Sequence, residues 1–380
     1  MSRFFDMVSR PAREMPGYPP DASRQVPAEV RSRLIRLDSN ENPFGPSPRA
    51  IEAMRMALGA SNAYPDDDCS ELRRTLAAYH SMPPEQVLVT AGSTALLSLL
   101  CQTLLAPGLN AITSERSFIV YSMAVHASGA RLIQTPMRDD GFDLAAILNA
   151  IDEDTRLIFL ANPNNPTGSA IDAAAVDSFL AEIPGHVVVV LDEAYYEFAS
   201  HVATLRHLEY SHSLDSLRSG ANVVVLRTFS KAHGLAGLRI GYGLGPAELL
   251  AYCARMRNTF SVSSLAQAAA LAAIEDHDHI ARTVANNASQ APLVGVELSE
   301  LGYRVVPSAA NFLYCEVGGD ASELAARLRA EGISVRALGV WGAPECIRVT
   351  IGTPDQNRSF LDAIRRVTAN APPVAVRGQD

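Results

Sequence analysis

The chain has 380 residues, of which 48% are hydrophobic and 19% charged, and its formal net charge at pH 7 is −9. This length exceeds a typical single hydrophobic core, so we expect two domains. The negative charge argues against a nucleic-acid-binding surface and a polybasic membrane patch. No apolar run approaches the roughly 18 residues that cross a bilayer, and no signal-peptide pattern is present, so we expect a cytoplasmic protein without membrane contact.

The cysteines and histidines lack the spacing of metal sites. The five cysteines are scattered without a C-x-x-C pair, so we expect neither a bound metal nor a disulfide framework, as in a reducing cytosol. The one H-x-H pair, His277 and His279, lies in an acidic segment. We expect both histidines at a solvated helix end.

From about Ser47 onward, short β-branched runs alternate with helical patterns, after a Pro- and Arg-rich arm over residues 1–33. Several runs are apolar throughout, as in strands covered on both faces. Alternating strands and helices predict an α/β fold with a mostly parallel seven-stranded sheet and helices on both faces. Ligands of such sheets bind at the carboxyl ends of the strands. The predicted strands are 86–90, 110–113, 131–134, 157–161, 187–192, 222–228 and 240–243, with helices such as 93–105 and 172–182 between them.

The pattern changes after about Pro246, which predicts a smaller α+β domain. Helices are expected over 247–258, 264–274 and 321–331, and strands over 303–306, 311–316 and 347–351. We therefore divide the chain into an arm with part of the small domain (1–46), a large domain (47–250) and a small domain (251–380).

The most informative segment is V-V-V-L-R-T-F-S-K-A-H-G-L-A-G-L-R-I-G-Y-G at 223–243. A lysine that ends a buried strand loses solvation, which lowers its pKa toward the neutral amine. A neutral amine can attack a carbonyl and hold an aldehyde cofactor as a Schiff base. Ser230 and Arg239, which flank Lys231, suit a phosphate group. The alternative is a surface lysine after a strand.

The segment A-G-S-T-A-L-L at 91–97 directly follows a predicted strand and opens a helix. Glycine lets the backbone come close to a ligand, and free N–H groups at a helix start attract anions. Gly92, Ser93 and Thr94 could therefore hold a phosphate. The alternative is an ordinary capped helix start.

Two further polar segments follow predicted strands, A-N-P-N-N-P-T-G at 161–168 and D-E-A-Y at 192–195. Asparagine amides can donate to a phenolate-type oxygen. Asp192 ends a buried strand and needs a cationic partner, for which a protonated pyridine nitrogen would serve, although a helix N-cap is the alternative. Tyr195 could reach the same ligand. Pyridoxal phosphate needs an amine for its aldehyde, a carboxylate for its ring nitrogen, donors for its ring oxygen and an anion site for its phosphate. These four segments together offer all four groups.

These motifs resemble those of the pyridoxal-phosphate aminotransferases of fold type I, from about residue 18 to about residue 364. N-P-N-N-P-T-G, D-E-A-Y, S-K-A-H-G-L-A-G-L-R-I-G-Y and the late C-I-R-V-T-I-G-T carry the resemblance. The chain is most similar to the histidinol-phosphate aminotransferase branch, through L-D-S-N-E-N-P-F-G-P-S-P at 37–48, A-Y-P-D at 63–66 and N-F-L-Y at 311–314.

The resemblance implies roles for individual residues at the cofactor. Lys231 would hold the cofactor aldehyde and later move a proton at the substrate, and Asp192 would pair with the ring nitrogen. Asn165 and Tyr195 would donate to the ring oxygen, and Phe118 would stack on the ring. The implied phosphate ligands are Gly92, Ser93, Thr94, Ser230 and Arg239, together with Tyr64 from the neighbouring subunit, which implies a homodimer with shared active sites.

For the substrate, the resemblance implies that Arg348 binds an α-carboxylate, while Arg336 and Tyr18 contact a substrate phosphate. Asn42 is also expected among the substrate-binding residues. The leading function is transamination between L-histidinol phosphate and 2-oxoglutarate. Where many members of the branch have an acidic pair after G-S, this chain has Thr94 and Ala95. An aromatic or broad-range aminotransferase, a decarboxylase of a phosphorylated amino acid and a non-catalytic binding protein are the alternatives.

Overall fold

The computed structural model describes residues 4–15, 17, 27, 29, 32–207 and 209–369. Its strands belong to a large sheet, a smaller one and two short two-stranded ribbons. In chain order they are β1 Ile35–Arg36, β2 Val87–Thr90, β3 Asn110–Ser114, β4 Arg131–Thr135, β5 Met137–Arg138, β6 Gly141–Phe142, β7 Thr155–Ala161, β8 Val188–Asp192, β9 Val223–Thr228, β10 Gly241–Leu244, β11 Arg304–Val306, β12 Phe312–Glu316, β13 Ile333–Ser334, β14 Arg336–Leu338 and β15 Ala343–Thr350.

The described helices surround these sheets. They are α1 Arg10–Glu14, α2 Pro48–Ala57, α3 Ser70–Tyr79, α4 Ser93–Leu104, α5 Ile119–Ala127, α6 Leu144–Asn149, α7 Ala173–Ala181, α8 Tyr196–Leu205, α9 Ser213–Arg218, α10 Ala247–Arg255, α11 Ser264–Ile274, α12 His277–Glu300, α13 Ala321–Ala330 and α14 Pro354–Ala369. None of these described helices is both long and apolar enough to cross a bilayer.

The large sheet has seven strands in the order β2-β10-β9-β8-β7-β3-β4. Strand β10 runs antiparallel to both of its neighbours, and the other neighbouring pairs are parallel. Every residue of β9 is buried because helices cover both faces of the sheet, whereas the edge strand β4 exposes two polar residues. The predicted mostly parallel seven-stranded sheet is therefore confirmed, with strand ends shifted by at most two residues.

Side chains at helix starts explain where several helices begin. Ser47 accepts a hydrogen bond from the Ala50 backbone, and Ser263 accepts one from Ala266. Asp172 and Asp320 cap α7 and α13 in the same way. Each cap satisfies a backbone N–H that has no partner within its own helix, so the local sequence sets these boundaries.

A second core lies around an antiparallel sheet with strand order β11-β12-β15-β14. Helices α12, α13 and α14 pack on this sheet and bury Leu298, Leu328 and Phe360 among its apolar side chains. Strand β1 pairs with β13, so the N-terminal segment joins this part of the molecule. Five strands of two or three residues were not predicted, since so few residues rarely leave a recognisable periodic pattern. They are β1, β5, β6, β13 and β14.

In the C-terminal third, the expectation that His279 is solvated is wrong, and one helix packs in the core of the large sheet. Helix α11, which follows the predicted domain boundary at 250, places its alanines in this first core, where they pack closely against α2. The sequence pattern predicted helix α11, but the pattern does not show against which of the two cores the helix packs. His279 is buried at 7% exposure, unlike the exposed His277, because it lies on the inward face of α12.

Candidate active site

A cavity of about 830 Å³ opens at the carboxyl ends of the large sheet, between the sheet, the N-terminal segment and the small sheet. The strand ends bring together side chains that are far apart in the sequence, as expected for an open α/β sheet. Most of the predicted site residues line this cavity: Ser93, Thr94, Phe118, Asn165, Asp192, Tyr195, Ser230, Lys231, Arg239, Arg336 and Arg348.

Lys231 lies three residues after β9, whose residues are all buried, and it lines the cavity. Its Nζ donates a hydrogen bond of 3.2 Å to the backbone oxygen of Ser39. Burial and, to a smaller extent, the nearby Arg348 guanidinium lower the pKa of Lys231 to about 7. A substantial fraction of the amine is therefore unprotonated near neutral pH, which is the form that attacks a carbonyl. The alternative of a surface lysine is excluded.

Asp192 is the last residue of β8 and is 5% exposed. Its Oδ2 accepts a hydrogen bond of 2.9 Å from the Tyr121 hydroxyl, and its Oδ1 accepts one of 3.3 Å from the Ala194 backbone. Burial raises the pKa of Asp192 to about 6. No ion pair to this carboxylate is found within the described residues. Since Tyr195, and not Asp192, occupies the N-cap position of α8, the helix-cap alternative does not account for it.

Tyr195 and Asn165 lie at the same end of the cavity and are both held by other side chains. The Tyr195 hydroxyl accepts a hydrogen bond of 2.9 Å from Asn40 Nδ2, and Asn165 Oδ1 accepts one of 2.6 Å from Arg348 Nη1. A guanidinium can only donate, so the Asn165 carbonyl must face Arg348. The amide nitrogen of Asn165 is then left as a donor, as the sequence resemblance implies.

An anion cradle forms where α4 begins, beside the strand β10. A Cβ atom on Gly92, whose φ is +83°, would lie 2.7 Å from Arg239 Nη2, and one on Gly241 would lie 2.6 Å from the Ser93 backbone nitrogen. Only glycine permits these approaches. They place a guanidinium beside the N-terminus of α4, where free N–H groups favour an anion. Ser230, whose hydroxyl contacts Thr228 at 3.0 Å, and Thr94 line the cavity nearby.

Two arginines reach the cavity from the small sheet. Arg336 on β14 lies directly opposite Arg348 on β15. Arg348 Nη2 donates to the Asp38 backbone oxygen at 2.8 Å, and Arg336 Nε donates to the same oxygen at 3.3 Å. Arg348 is 5% exposed, so it is a buried arginine and not a surface one. The pair forms a concentrated positive charge suited to an anionic group.

The predicted residues Tyr64 and Asn42 do not line the cavity of this chain. Tyr64 is 82% exposed and stacks on the Phe260 ring at 4.5 Å between centroids. The Asn42 side chain donates to the Ala232 backbone oxygen and to Thr283, so it fastens the N-terminal segment to the lysine loop. Its predicted role in substrate binding is therefore not supported. Tyr18 lies outside the described residues.

The sequence reasoning missed Tyr121, Asn40 and a buried ion pair. Arg227 contacts Glu193 with Nη2 at 2.5 Å and lies 3.3 Å from the Tyr196 ring centroid. A charged residue within the apolar strand V-V-V-L-R-T was the available signal, because a buried arginine requires a carboxylate partner. The signal for Tyr121 was a hydroxyl within the apolar helix α5, one turn after Phe118.

The donor set fits pyridoxal phosphate. A buried carboxylate with no ion-pair partner among the described residues suits a protonated ring nitrogen, and an amine of lowered pKa suits an aldehyde. Gly92 and Gly241 let the Arg239 guanidinium and the Ser93 backbone nitrogen come close, which groups donors suited to a phosphate. Within the described residues, no cluster of three or more histidine, cysteine or acidic side chains has the geometry of a metal site.

Comparisons with known proteins agree with this geometry. The chain is 42% identical over 356 residues to histidinol-phosphate aminotransferase 2 of Pseudomonas fluorescens, covering 93% of this chain and 94% of the relative. It is 40% identical over 337 residues to histidinol-phosphate aminotransferase of Moorella thermoacetica, covering 88% and 86%. The crystal structure of histidinol-phosphate aminotransferase from Sinorhizobium meliloti in complex with pyridoxal-5'-phosphate superposes with a TM-score of 0.85 at 30% identity, covering 97% of this chain and 99% of that one.

The family match covers both the large sheet and the small one. Residues 32–364 match the family described as aminotransferase class I and II, and they include each cavity-lining residue predicted from the sequence. All the groups of the candidate site therefore lie within the residues that match the family: the lysine, the buried aspartate, the anion cradle and the arginine pair. The chain belongs to the class I and II aminotransferase family.

Proposed function

We propose that this protein is a pyridoxal-phosphate-dependent aminotransferase that converts L-histidinol phosphate and 2-oxoglutarate into imidazole acetol phosphate and L-glutamate. The observation that carries the substrate proposal is the Arg336–Arg348 pair at the cavity. L-Histidinol phosphate has a phosphate and no carboxylate, whereas glutamate has carboxylates. Paired guanidiniums bind either group through charge-assisted hydrogen bonds. The names of the relatives from Pseudomonas and Moorella support the same substrate.

When bound, pyridoxal phosphate supplies an aldehyde for the amino group and a ring that withdraws electrons from the substrate Cα. The Lys231 amine removes a proton from that carbon and returns one during the exchange. The Asp192 carboxylate holds a proton on the ring nitrogen, since an anion in a buried site stabilises a cation. The amide of Asn165 and the hydroxyl of Tyr195 hold the ring oxygen.

The remaining predicted residues position the cofactor and exclude water. Arg239, Ser230 and the N-terminus of α4 hold the cofactor phosphate, with Gly92, Ser93 and Thr94 at the helix start. Phe118 covers one face of the ring. Binding energy at the phosphate thereby fixes the aldehyde beside Lys231, and this positioning lowers the entropic part of the barrier.

We also propose that the enzyme acts as a homodimer in the cytoplasm. Tyr64 and Phe260 form an exposed aromatic pair that does not line the cavity of its own chain. An exposed aromatic patch favours a protein contact. Tyr64 would then contribute its hydroxyl to the phosphate site of the neighbouring subunit, so each active site would need both chains.

A second candidate is an aromatic or broad-range aminotransferase. One wall of the cavity is apolar, because α5 contributes Val120, Met123, Ala124 and Ala127. Such a wall accepts a phenyl ring as readily as an imidazole. Thr94 beside it offers a hydroxyl where an acidic group would recognise imidazole more strongly.

A survey of half-reactions tests the proposal. Each candidate amino donor is added alone to the cofactor-loaded protein: histidinol phosphate, phenylalanine, tyrosine and threonine phosphate. We expect histidinol phosphate to convert the bound cofactor to pyridoxamine phosphate fastest, as followed by absorbance, without release of carbon dioxide. Faster conversion by phenylalanine would favour the aromatic enzyme. Carbon dioxide release from threonine phosphate would favour a decarboxylase, and no conversion by any donor would favour a non-catalytic protein.

A further inference from the structure

Tyr121 is a fully buried residue of α5 that lies in the wall of the cavity. The hydroxyl donates to Asp192 Oδ2 at 2.9 Å. The ring stacks on Phe159, with centroids 4.9 Å apart and planes inclined by 9°, and meets Phe118 edge-on at 5.6 Å. The two aromatic contacts fix the ring, so the hydroxyl has a defined direction.

The hydroxyl matters because, among the described residues, only two hydrogen bonds to the Asp192 carboxylate are found. Its other hydrogen bond, from the Ala194 backbone, is longer at 3.3 Å. A buried carboxylate loses most of its hydration, and each donor that remains stabilises the anion over the neutral acid. Burial also keeps the pKa of Tyr121 well above its usual value of 10, so the phenol stays a donor.

We propose that Tyr121 is a positioning residue that keeps Asp192 ionised and directed at the cofactor ring nitrogen. Tyr121 acts through Asp192 and does not contact the substrate. The inference rests on the proposed cofactor, because only a group with a basic ring nitrogen would need a fixed anion at this place. It also connects two predicted roles, since the same ring packs against Phe118, which would cover the cofactor face.

The principal test replaces Tyr121 with phenylalanine, which removes one oxygen and keeps the ring. Trp341 is the only tryptophan of the chain and lines the cavity, so its fluorescence reports cofactor binding to the stripped protein. We expect Tyr121→Phe to raise the dissociation constant for pyridoxal phosphate about tenfold, as for loss of a hydrogen bond to a buried charge. An unchanged constant would overturn the proposal.

A second measurement isolates the ring nitrogen. With ¹⁵N-labelled pyridoxal phosphate, the nitrogen chemical shift separates the protonated from the unprotonated ring. We expect the pH at which the bound ring loses its proton to fall by about one unit in Tyr121→Phe, because a less stable Asp192 anion holds that proton less well. An identical midpoint in the two proteins would contradict the proposed role.

Tyr242→Phe is the matched control. Tyr242 is also buried in the first core, and its hydroxyl makes one side-chain contact, to His80 at 2.8 Å, away from the cavity lining. This variant should lose comparable stability and keep both the cofactor affinity and the nitrogen midpoint. In an Asp192→Asn background, Tyr121→Phe should add no further loss. Additive losses would mean that Tyr121 acts independently of Asp192.

Tyr121→His covers the case in which the phenylalanine variant does not fold, because an imidazole N–H can donate to Asp192. Affinity within about threefold of wild type supports the proposal, and a tenfold loss in a folded histidine variant argues against it. These outcomes are separable from failure of the proposed function. If the unaltered protein binds no pyridoxal phosphate, the cofactor proposal fails; if both proteins bind it equally, only the role of Tyr121 fails.

Discussion

The Lys231 amine donates a hydrogen bond to the backbone oxygen of Ser39, 192 residues earlier in the chain. The same N-terminal segment is tied to the lysine loop by Asn42, which donates to the Ala232 backbone oxygen at 2.8 Å. Gly234, in the same loop, also lets the N-terminal segment come close, because a Cβ atom there would clash with the Gly45 backbone oxygen. The N-terminal segment therefore covers the lysine and fixes its position before any ligand enters.

The lowered pKa of Lys231 predicts how cofactor attachment depends on pH. The pKa is lowered to about 7, so the neutral amine predominates above that pH. Borohydride trapping of pyridoxal phosphate at Lys231 should accelerate as pH rises through about 7 and then level off. Arg348→Met should move the midpoint upward, since a neighbouring cation disfavours the ammonium. Lys231→Ala, the negative control, should trap no cofactor at this position, and a midpoint near 10.5 would contradict the assignment.

The anion cradle predicts a strong effect of one added methyl group. In Gly241→Ala, the new Cβ would lie 2.6 Å from the Ser93 nitrogen and 3.0 Å from the Arg227 backbone oxygen. Backbone atoms cannot move aside as a flexible side chain would, so we expect about 1–3 kcal/mol of lost stability. Pyridoxal phosphate should bind at least about tenfold more weakly. Gly59→Ala is the control, because nothing lies within 4 Å of its added carbon, and equal affinity in the two variants would rule out the cradle.

The arginine pair predicts substrate discrimination. Arg336→Ala should raise KM for histidinol phosphate by about 10- to 100-fold, as for loss of charge-assisted hydrogen bonds. The KM for phenylalanine should change by less than about threefold, because Arg348 remains to bind its carboxylate. Arg336→Lys, which keeps the charge without the fork, should fall between the two proteins. Equal losses for both substrates would argue for the aromatic enzyme.

The proposed shared site predicts complementation between inactive subunits. In a hybrid of Tyr64→Phe and Lys231→Ala chains, one site carries both changes and the other carries neither. Random mixing should therefore restore about a quarter of the wild-type activity, measured at a cofactor concentration that does not saturate the Tyr64→Phe homodimer. If mass spectrometry confirms mixed dimers and activity does not return, Tyr64 does not act across the interface.

A buried histidine predicts loss of stability in mild acid. Burial lowers the pKa of His80 to about 3, and its Nε2 lies 2.8 Å from the Tyr242 hydroxyl. The unfolded chain binds a proton below about pH 6.5, and the folded chain does not bind it until about pH 3, so stability falls with pH in this window. From pH 6.5 to 5, His80 alone should cost about 2 kcal/mol. Urea unfolding of His80→Gln should show a correspondingly smaller decrease, and equal decreases would refute the assignment.

The sequence by itself determined the large sheet and the residues at its strand ends. Apolar runs that stop at Asp192 or shortly before Lys231 place both side chains at the carboxyl edge, because strand direction and strand end are local properties. Gly92 at a predicted helix start, and Ser230 and Arg239 beside Lys231, similarly indicated an anion site. The family resemblance added Asn165 and Arg348, which the structure places at the same cavity.

Only the tertiary structure decided which distant groups meet. Asn40 reaches Tyr195 across 155 residues, and Tyr121 reaches Asp192 across 71. Local patterns likewise did not show that His279 is buried. They also did not show that Asn42 binds the N-terminal segment to the lysine loop. A hydrogen bond or a packed face depends on the relative placement of whole elements. That placement is set by the burial of two cores at once, and no short stretch of sequence encodes it.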